Sequence, residues 1–256
     1  MLNKIRDIAA SVLLNYKSSR RKLKISKEVK PEQVVHLQKS VDIACEWYGS
    51  PYGGFYIYPA LLNPLSIVYS FGIGKDISFD LACIRNHSCK VFAFDPTPKS
   101  IEWIKKQKLP GQFHFHEYGI STAQSGLFDF YLPSNSKGVS GSLEAQIQEV
   151  DKNDFIKVLM KSFCDIAQEL GHSHIDVLKM DIEGAEYQAL DTLLNSGVTI
   201  DQILIEFHDR SFGWEEIKSK EPVQKLTERG YLIFGCSTSH EEISFIHKRK
   251  LYSSIY

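Results

Sequence analysis

From Ser66 onward, the chain alternates two kinds of segment. Short apolar runs rich in β-branched and aromatic residues alternate with stretches whose apolar residues recur every three or four positions. The first kind predicts strands and the second predicts helices. The predicted strands are residues 66–71, 90–94, 112–118, 176–180 and 202–207, and the predicted helices are residues 77–86, 98–107, 163–170, 186–194 and 222–229. This order is typical of an α/β fold, a mostly parallel sheet with helices on both faces.

Two segments depart from the alternation. Residues 231–237 and 243–247 are β-like runs separated by the polar stretch STSHEE, which predicts an antiparallel hairpin that closes the sheet. The segment from Ser121 to about Met160 holds three glycines and a proline, and we predict a long insertion loop there. Loops of that length usually serve function.

Length and composition indicate a globular protein. A chain of 256 residues that is 43% hydrophobic can bury a core, and we expect a domain at residues 45–256 preceded by a helical extension at residues 1–44. No apolar run reaches the roughly 18 residues that cross a membrane. The five cysteines include no C-x-x-C pair, which predicts reduced thiols and a cytoplasmic location.

Positive charge is concentrated at the N-terminus. Residues 1–30 hold nine Lys or Arg against two acids, which leaves the rest of the chain with a net charge of minus eight. The apolar residues that share one helical face there are Leu2, Ile5, Ile8, Val12 and Leu13. Such a segment fits peripheral contact with an anionic membrane, but helices of this kind more often pack on their own domain or on a second subunit of a homo-oligomer. The apolar run is too short for a secretory signal, and the acidic remainder argues against a nucleic-acid substrate.

The first two predicted strands carry a nucleotide-type pattern. Strand 66–71 runs into Gly72-Ile73-Gly74, a turn that lets backbone approach a ligand, and the next strand ends in Asp95, 23 residues after Gly72. An acid there can accept hydrogen bonds from ribose hydroxyls, so the pair predicts an adenosine-containing cofactor, with an ordinary turn and helix cap as the alternative. Asp76 stands where a dinucleotide site has a third glycine and would repel a pyrophosphate. S-adenosylmethionine is therefore favoured over a dinucleotide.

A second junction lies in IDVLKMDIEGAEYQAL, residues 175–190. Asp181 and Glu183 follow a predicted strand and precede a predicted helix. Ligands of open α/β sheets bind at that edge, although acids also stabilise helix starts.

Four blocks in order, SFGIGKDISFDLA, VFAFDPTP, VLKMDIEGAEYQAL and ILIEFH, resemble the FkbM-type S-adenosylmethionine-dependent methyltransferases over roughly residues 45–247. The K-x-D-x-E-G-A-E block is the most specific of them. The resemblance implies the class I methyltransferase (Rossmann-like) fold, whose seven-stranded sheet has an antiparallel last strand. It also implies methylation of hydroxyl oxygens on sugars, glycans or small-molecule natural products.

Carried over by position, the resemblance implies a cofactor site. Gly72 and Gly74 would line the methionine end, Asp95 the ribose, and residues 117–121 the adenine. Ser70 stands where the family usually has an acid, so Asp76 or Asp181 would take its place. The predicted cofactor-binding residues are Ser70, Phe71, Gly72, Gly74, Asp76, Asp95, Glu117, Ser121 and Asp181.

Methyl transfer to oxygen needs a side chain that removes a proton. Strand alternation places Glu206 and His208 on one side of their strand, at the same sheet edge as Asp181, and these three are the predicted catalytic residues. His208 is the preferred base, because neutral imidazole accepts protons near neutral pH, although a structural histidine fits the same pattern. Asp181, Glu206 and Asp209 could also hold a divalent metal such as magnesium.

The segment Trp47–Phe55 mixes aromatic residues with glycines. We list Tyr48 and Tyr52 as candidate substrate contacts, while a simple glycine turn between helix and strand explains the pattern as well. The function predicted is methyl transfer from S-adenosylmethionine to a hydroxyl oxygen. The alternatives are a catalytically silent scaffold with the same fold and a nicotinamide-dependent oxidoreductase.

Overall fold

The structure is a computed structural model and describes residues 19–134, 141–145, 150–213 and 217–252. Residues 19–28 form helix α1. The other helices are α2 Pro31–Val34, α3 Ser78–His87, α4 Pro98–Ile104, α5 Phe163–Leu170, α6 Glu186–Leu194, α7 Lys220–Glu228 and α8 Arg249–Tyr252. The strands are β1 Glu46–Tyr48, β2 Phe55–Ile57, β3 Ile67–Phe71, β4 Lys90–Phe94, β5 Phe113–His116, β6 Gly119–Ile120, β7 Gly126–Pro133, β8 Val150–Lys161, β9 His174–Met180, β10 Thr199–Glu206, β11 Tyr231–Cys236 and β12 Glu242–His247.

The main sheet has seven strands in the order β11-β12-β10-β9-β3-β4-β5. The strands from β10 to β5 are parallel neighbours, while β12 is antiparallel to both β10 and β11. The predicted α/β class and the closing antiparallel hairpin are therefore confirmed. The seven-stranded sheet implied by the resemblance is present as well.

The central strands are apolar because helices cover both faces of the sheet. Val68, Val177 and Leu204 belong to one buried cluster, and Tyr69 and Leu178, their neighbours in sequence, belong to the other. Each strand thus contributes alternate side chains to two cores. This packing fixes the position of the strand ends, where the predicted site residues lie.

The prediction of a loop over residues 121–160 is wrong in part. Strands β7 and β8 pair antiparallel, and β8 also pairs with β6, which gives a separate three-stranded sheet. Phe128 and Phe130 face inward on β7, while Leu127 and Asp129 are exposed. This period of two in GLFDFYLP is the signal of a half-exposed strand.

The N-terminal part of the described chain packs on the domain. Ile25 of α1 is buried, and Val34 and Leu37 belong to one of the main cores. The apolar face predicted at residues 2–13 lies outside the described residues. Within the described ranges, every helix is too short or too polar to cross a membrane.

Candidate active site

A cavity lies at the carboxyl ends of β3, β4 and β9, and it encloses about 760 Å³ of space that is partly open to solvent. Ligand sites of this size are common at this edge of α/β sheets. The glycine turn after β3 and the acids after β4 and β9 all reach its wall. The apolar side chains of the wall include Ile73, Phe94, Ile120, Phe130, Leu143 and Met160. The last three come from the insertion, where the sequence predicts no cofactor contact.

Gly72 sits where two strand ends meet. Its φ is +74°, and its N–H donates to the carbonyl oxygen of Phe94 at 2.9 Å. A β-carbon at this position would lie 1.7 Å from the carbonyl oxygen of Asp181, so only glycine fits. A β-carbon on Gly74, with φ +51°, would meet nothing within 4 Å. The backbone at Gly74 therefore leaves space for a ligand.

Asp95 holds the shape of this turn. One carboxylate oxygen accepts from the Gly74 N–H at 2.8 Å, and the other accepts from the Thr97 N–H at 2.8 Å and from the Thr97 hydroxyl. The side chain is 3% exposed, and burial raises its pKa. Asp95 lines the cavity as predicted. Its contact with a ribose stays a prediction.

Asp76 ties the glycine turn to the hairpin formed by β1 and β2. Its carboxylate accepts from the Ser78 N–H at 2.8 Å and from the Ser50 hydroxyl at 2.5 Å. Tyr52, in the same hairpin turn, lines the cavity. Tyr48 does not line it, because its hydroxyl is 3.0 Å from His87 Nε2 and its ring is buried. Only one of the two tyrosines proposed as substrate contacts therefore reaches the site, and the segment joins two strands instead of a helix and a strand.

Residues 117–121, which are predicted to lie near the adenine, reach the cavity, but not through the two side chains expected to do so. Gly119 and Ile120 line the cavity, whereas Glu117 and Ser121 are not among its lining residues. The carboxylate of Glu117 is half-exposed and pairs with Lys105 at 2.7 Å. The hydroxyl of Ser121 is buried and donates to a backbone carbonyl at 2.8 Å. Both side chains therefore make local contacts and do not reach the cavity.

The two residues at the end of β3 differ in position. Phe71 lines the cavity, while Ser70 is fully buried and lies outside the lining. Ser70 pairs in register with Lys179 of β9. No role for this lysine is predicted from the sequence, but it lines the cavity.

Hydrogen bonds to the Glu186 carboxylate organise the acidic junction after β9. The Glu186 carboxylate accepts from the Ile182 N–H at 2.9 Å and from the Gly184 N–H at 2.8 Å. Glu183 has φ +54° and Gly184 has φ +96°, so the chain turns sharply between the strand and α6. This turn directs Asp181 and Glu183 to the cavity.

His208 lies between the junction carboxylates. Its Nδ1 is 2.9 Å from a Glu186 oxygen, and its Nε2 is 3.2 Å from Glu183 and 3.9 Å from Asp181. Burial alone would lower its pKa, but Glu186 and Glu183 raise it well above the ordinary value. These carboxylates favour the protonated imidazole. The role of His208 as the base stays a prediction.

Asp181 and Glu206, two of the predicted catalytic residues, both have raised pKa values. Burial and Glu183 raise the pKa of Asp181 to about 6, against the opposing charges of Lys179 and His208. Burial, followed by the charge of Asp181, raises the pKa of Glu206 well above its ordinary value. Asp181, Glu206 and His208 each offer one ligand atom within 4.8 Å of the others and could hold a divalent cation if His208 were neutral.

Asp209 does not join that group, contrary to the expected set of metal ligands. Its carboxylate accepts from the Ser219 N–H at 3.0 Å, from the Tyr187 hydroxyl at 3.1 Å and from the Ser219 hydroxyl. The side chain is buried in this network. Asp209 therefore connects the end of β10 to the start of α7.

Comparison with known proteins agrees with this architecture. A family model described as the methyltransferase FkbM domain matches residues 69–245. The probable methyltransferase-like protein 24 of Homo sapiens is 29% identical over 161 residues, and that of Rattus norvegicus is 28% identical over the same length. Each alignment covers 62% of this chain and 37% of the relative. The match thus spans well under half the length of these relatives.

Two solved structures are more distant. A Methanococcus jannaschii fibrillarin, a pre-rRNA processing protein, is 11% identical with a TM-score of 0.44, covering 77% of this chain and 71% of that chain. Human N-acetylserotonin methyltransferase in complex with SAM is 11% identical with a TM-score of 0.36, covering 71% of this chain and 47% of that chain. Similarity this low says nothing about substrates. The family match over residues 69–245 covers most of the chain, and the chain therefore belongs to the FkbM methyltransferase family.

Proposed function

We propose that this protein transfers a methyl group from S-adenosylmethionine to a hydroxyl oxygen of a sugar, a glycan or another small molecule. The observation that carries the proposal is that one cavity joins the glycine turn and Asp95 to the acids Asp181 and Glu183. The first pair suits an adenosine-containing cofactor, and the second lies where an acceptor would be deprotonated.

The residues present fit this cofactor. Gly74 leaves open space beside the turn, and apolar side chains from the insertion offer a wall for the adenine ring. The carboxylate of Asp76 suits the ammonium group of the methionine part. When bound, S-adenosylmethionine supplies an electrophilic methyl group on its sulfonium and leaves as S-adenosylhomocysteine.

The chain's own task is to orient the acceptor and take its proton. As the acceptor oxygen bonds to the methyl carbon and the carbon–sulfur bond breaks, the hydroxyl proton passes to a carboxylate. We assign this role to Asp181, because it lines the cavity and its pKa of about 6 leaves it ionised at neutral pH. The His208 cation holds Asp181 and Glu183 in place. Glu206 lies beside Asp181 without lining the cavity, and burial, followed by the charge of Asp181, raises its pKa.

Calorimetry with S-adenosylhomocysteine tests the cofactor. The wild-type protein is expected to bind, and Asp95→Ala is expected to bind at least about tenfold more weakly, because it removes the carboxylate that bonds the Gly74 N–H. Absence of binding by the wild type contradicts the proposal, as does unchanged binding by the variant.

A screen of sugars, glycans and metabolites with a labelled methyl donor identifies the acceptor. Label recovered in an ether-type product supports transfer to oxygen and excludes the silent scaffold. Binding of the cofactor product without transfer to any acceptor class would favour the scaffold. The predicted cytoplasmic location is part of the same proposal, and fractionation of cells that express the protein tests it.

A further inference from the structure

Lys179 has an unusual position for a lysine. The residue is 2% exposed, and its ammonium donates to the Gly72 carbonyl oxygen at 3.0 Å and lies 5.5 Å from the centre of the Phe55 ring. Lysines are rarely buried unless their charge has a partner. The sequence of the junction block does not disclose this placement, which arises from the pairing of β9 with β3.

Asp80 of α3 is the buried acid that interacts electrostatically with Lys179, although neither of its carboxylate oxygens has a hydrogen-bond partner among the described residues. Asp80 is 1% exposed, and burial raises its pKa while the charge of Lys179 and the Ser70 hydroxyl act in the opposite direction. Ser70 is uncharged and stands beside Lys179 in the sheet register. The ammonium of Lys179 thus makes its hydrogen bond to the glycine turn, at the Gly72 carbonyl.

The cavity has a marked charge imbalance. Among the described residues of its wall, Lys179 is the only one with a basic side chain, whereas four of them are acids. These acids are Asp76, Asp95, Asp181 and Glu183. A zwitterionic ligand that binds here meets many partners for its ammonium group and one cation for its carboxylate. An ammonium group has three N–H donors, so the bond to Gly72 leaves others for a ligand.

We propose that Lys179 recognises the amino-acid part of the cofactor: its ammonium fixes the Gly72 carbonyl and faces the methionine carboxylate. This inference rests on the proposed function. It assigns Lys179 to the methionine end of the cofactor and gives it no part in binding the nucleoside end.

The test compares two ligands by calorimetry. S-adenosylhomocysteine carries the amino-acid part, and 5′-methylthioadenosine lacks it. In Lys179→Met, the affinity for S-adenosylhomocysteine is expected to fall about tenfold or more, as for loss of a hydrogen bond to a charged group, while the affinity for 5′-methylthioadenosine stays within about threefold. Lys90→Met, an exposed lysine at the opposite end of β4, is the matched control and is expected to leave both affinities unchanged.

Removal of Lys179 alone leaves Asp80 buried without its cation and can unfold the protein. The double variant Asp80→Asn/Lys179→Met removes both charges. It is expected to fold, with a melting temperature above that of the single variant, and to show the same selective loss of S-adenosylhomocysteine binding. A loss that is equal for both ligands in this folded variant, or no loss at all, overturns the inference. A wild-type protein that binds neither ligand contradicts the proposed function itself.

Discussion

A β-carbon on Gly72 would lie 1.7 Å from the carbonyl oxygen of Asp181, so the glycine turn and the acidic junction are in direct backbone contact. The Asp181 N–H also donates to the Phe71 carbonyl at 3.1 Å. A change in one junction therefore displaces the other.

Gly72→Ala is expected to destabilise the protein by more than about 3 kcal/mol and to abolish binding of S-adenosylhomocysteine, because the new methyl group forces the two strand ends apart. Gly171→Ala is the matched control. Gly171 has φ +72°, close to the +74° of Gly72, but a β-carbon there meets nothing within 4 Å. It should cost only about 1 kcal/mol and leave binding intact. Equal costs in urea denaturation would refute the role of the contact.

Replacement of His208 should have an effect that depends on pH. His208→Ala leaves Asp181, Glu183 and Glu186 without the cation between them, at an expected cost of about 3–5 kcal/mol near neutral pH. The charge of His208 lowers the pKa of Asp181, which burial raises to about 6, so loss of the cation raises this pKa further and the penalty grows as pH increases through it. The variant should therefore be closer to the wild type at about pH 5 than at about pH 8 in urea denaturation.

His174→Ala is the control for the previous variant. His174 Nε2 lies 3.1 Å from Asp201, but Asp201 also pairs with Arg249 at 2.9 Å and with Lys250 at 2.8 Å. Loss of the histidine leaves that carboxylate compensated, so the cost should stay below about 1 kcal/mol. If His174→Ala lowers the free energy of unfolding more than His208→Ala does, the charge balance around each histidine does not determine the cost of its removal.

The sequence predicts the parallel sheet well, because its strands are buried on both faces and read as continuous apolar runs. Asp95 and Asp181 could be placed at one edge for the same reason, since each directly follows such a run. The roles of individual side chains could not be predicted in this way. The sequence predicts His208 as a neutral base, but the carboxylates that favour its protonated form, Glu186 and Glu183, contact it only in the folded chain. Lys179 requires the register of β3 and β9, which a local pattern does not contain.

The insertion hairpin should contribute to cofactor binding. Phe130 is buried and lines the cavity, whereas Leu127, three residues earlier on β7, is 67% exposed. Phe130→Ala is expected to weaken binding of S-adenosylhomocysteine by about 5- to 50-fold, as for loss of an aromatic contact with a ring. Leu127→Ala should leave the affinity unchanged. If calorimetry gives the same affinity for both variants, the hairpin is not part of the site.

His36 should make stability depend on pH. Its Nε2 lies 2.8 Å from the Ser219 hydroxyl, and burial, followed by the charge of Lys220, lowers its pKa to about 4. Between pH 6.5 and 4 the unfolded chain binds a proton that the folded chain does not, so the free energy of unfolding falls as pH falls. The loss should be on the order of 2 kcal/mol, given the partial exposure of the ring. His36→Gln should lack this part of the pH dependence in urea denaturation, and parallel curves for both proteins would contradict the assignment.

Helix α1 should be held on the domain by one ion pair. Lys22 is 8% exposed, pairs with the buried Glu242 and lies 5.0 Å from the centre of the Trp47 ring. Because Glu242 stands opposite Glu206 in the sheet, this pair connects the basic N-terminal segment to the acid cluster of the site. Lys22→Met leaves Glu242 buried without a cation, at an expected cost of about 3–5 kcal/mol.

The exposed Lys24 on the same helix provides the comparison for Lys22. Lys24→Met should change stability by less than about 0.5 kcal/mol, because its side chain is 79% exposed. The double variant Lys22→Met/Glu242→Gln should recover part of the loss, since it removes the second charge together with the first. Hydrogen exchange of residues 19–28 should increase in Lys22→Met and not in Lys24→Met. If hydrogen exchange rises equally in the two single-lysine variants, the ion pair does not hold α1 on the domain and its apolar contacts do.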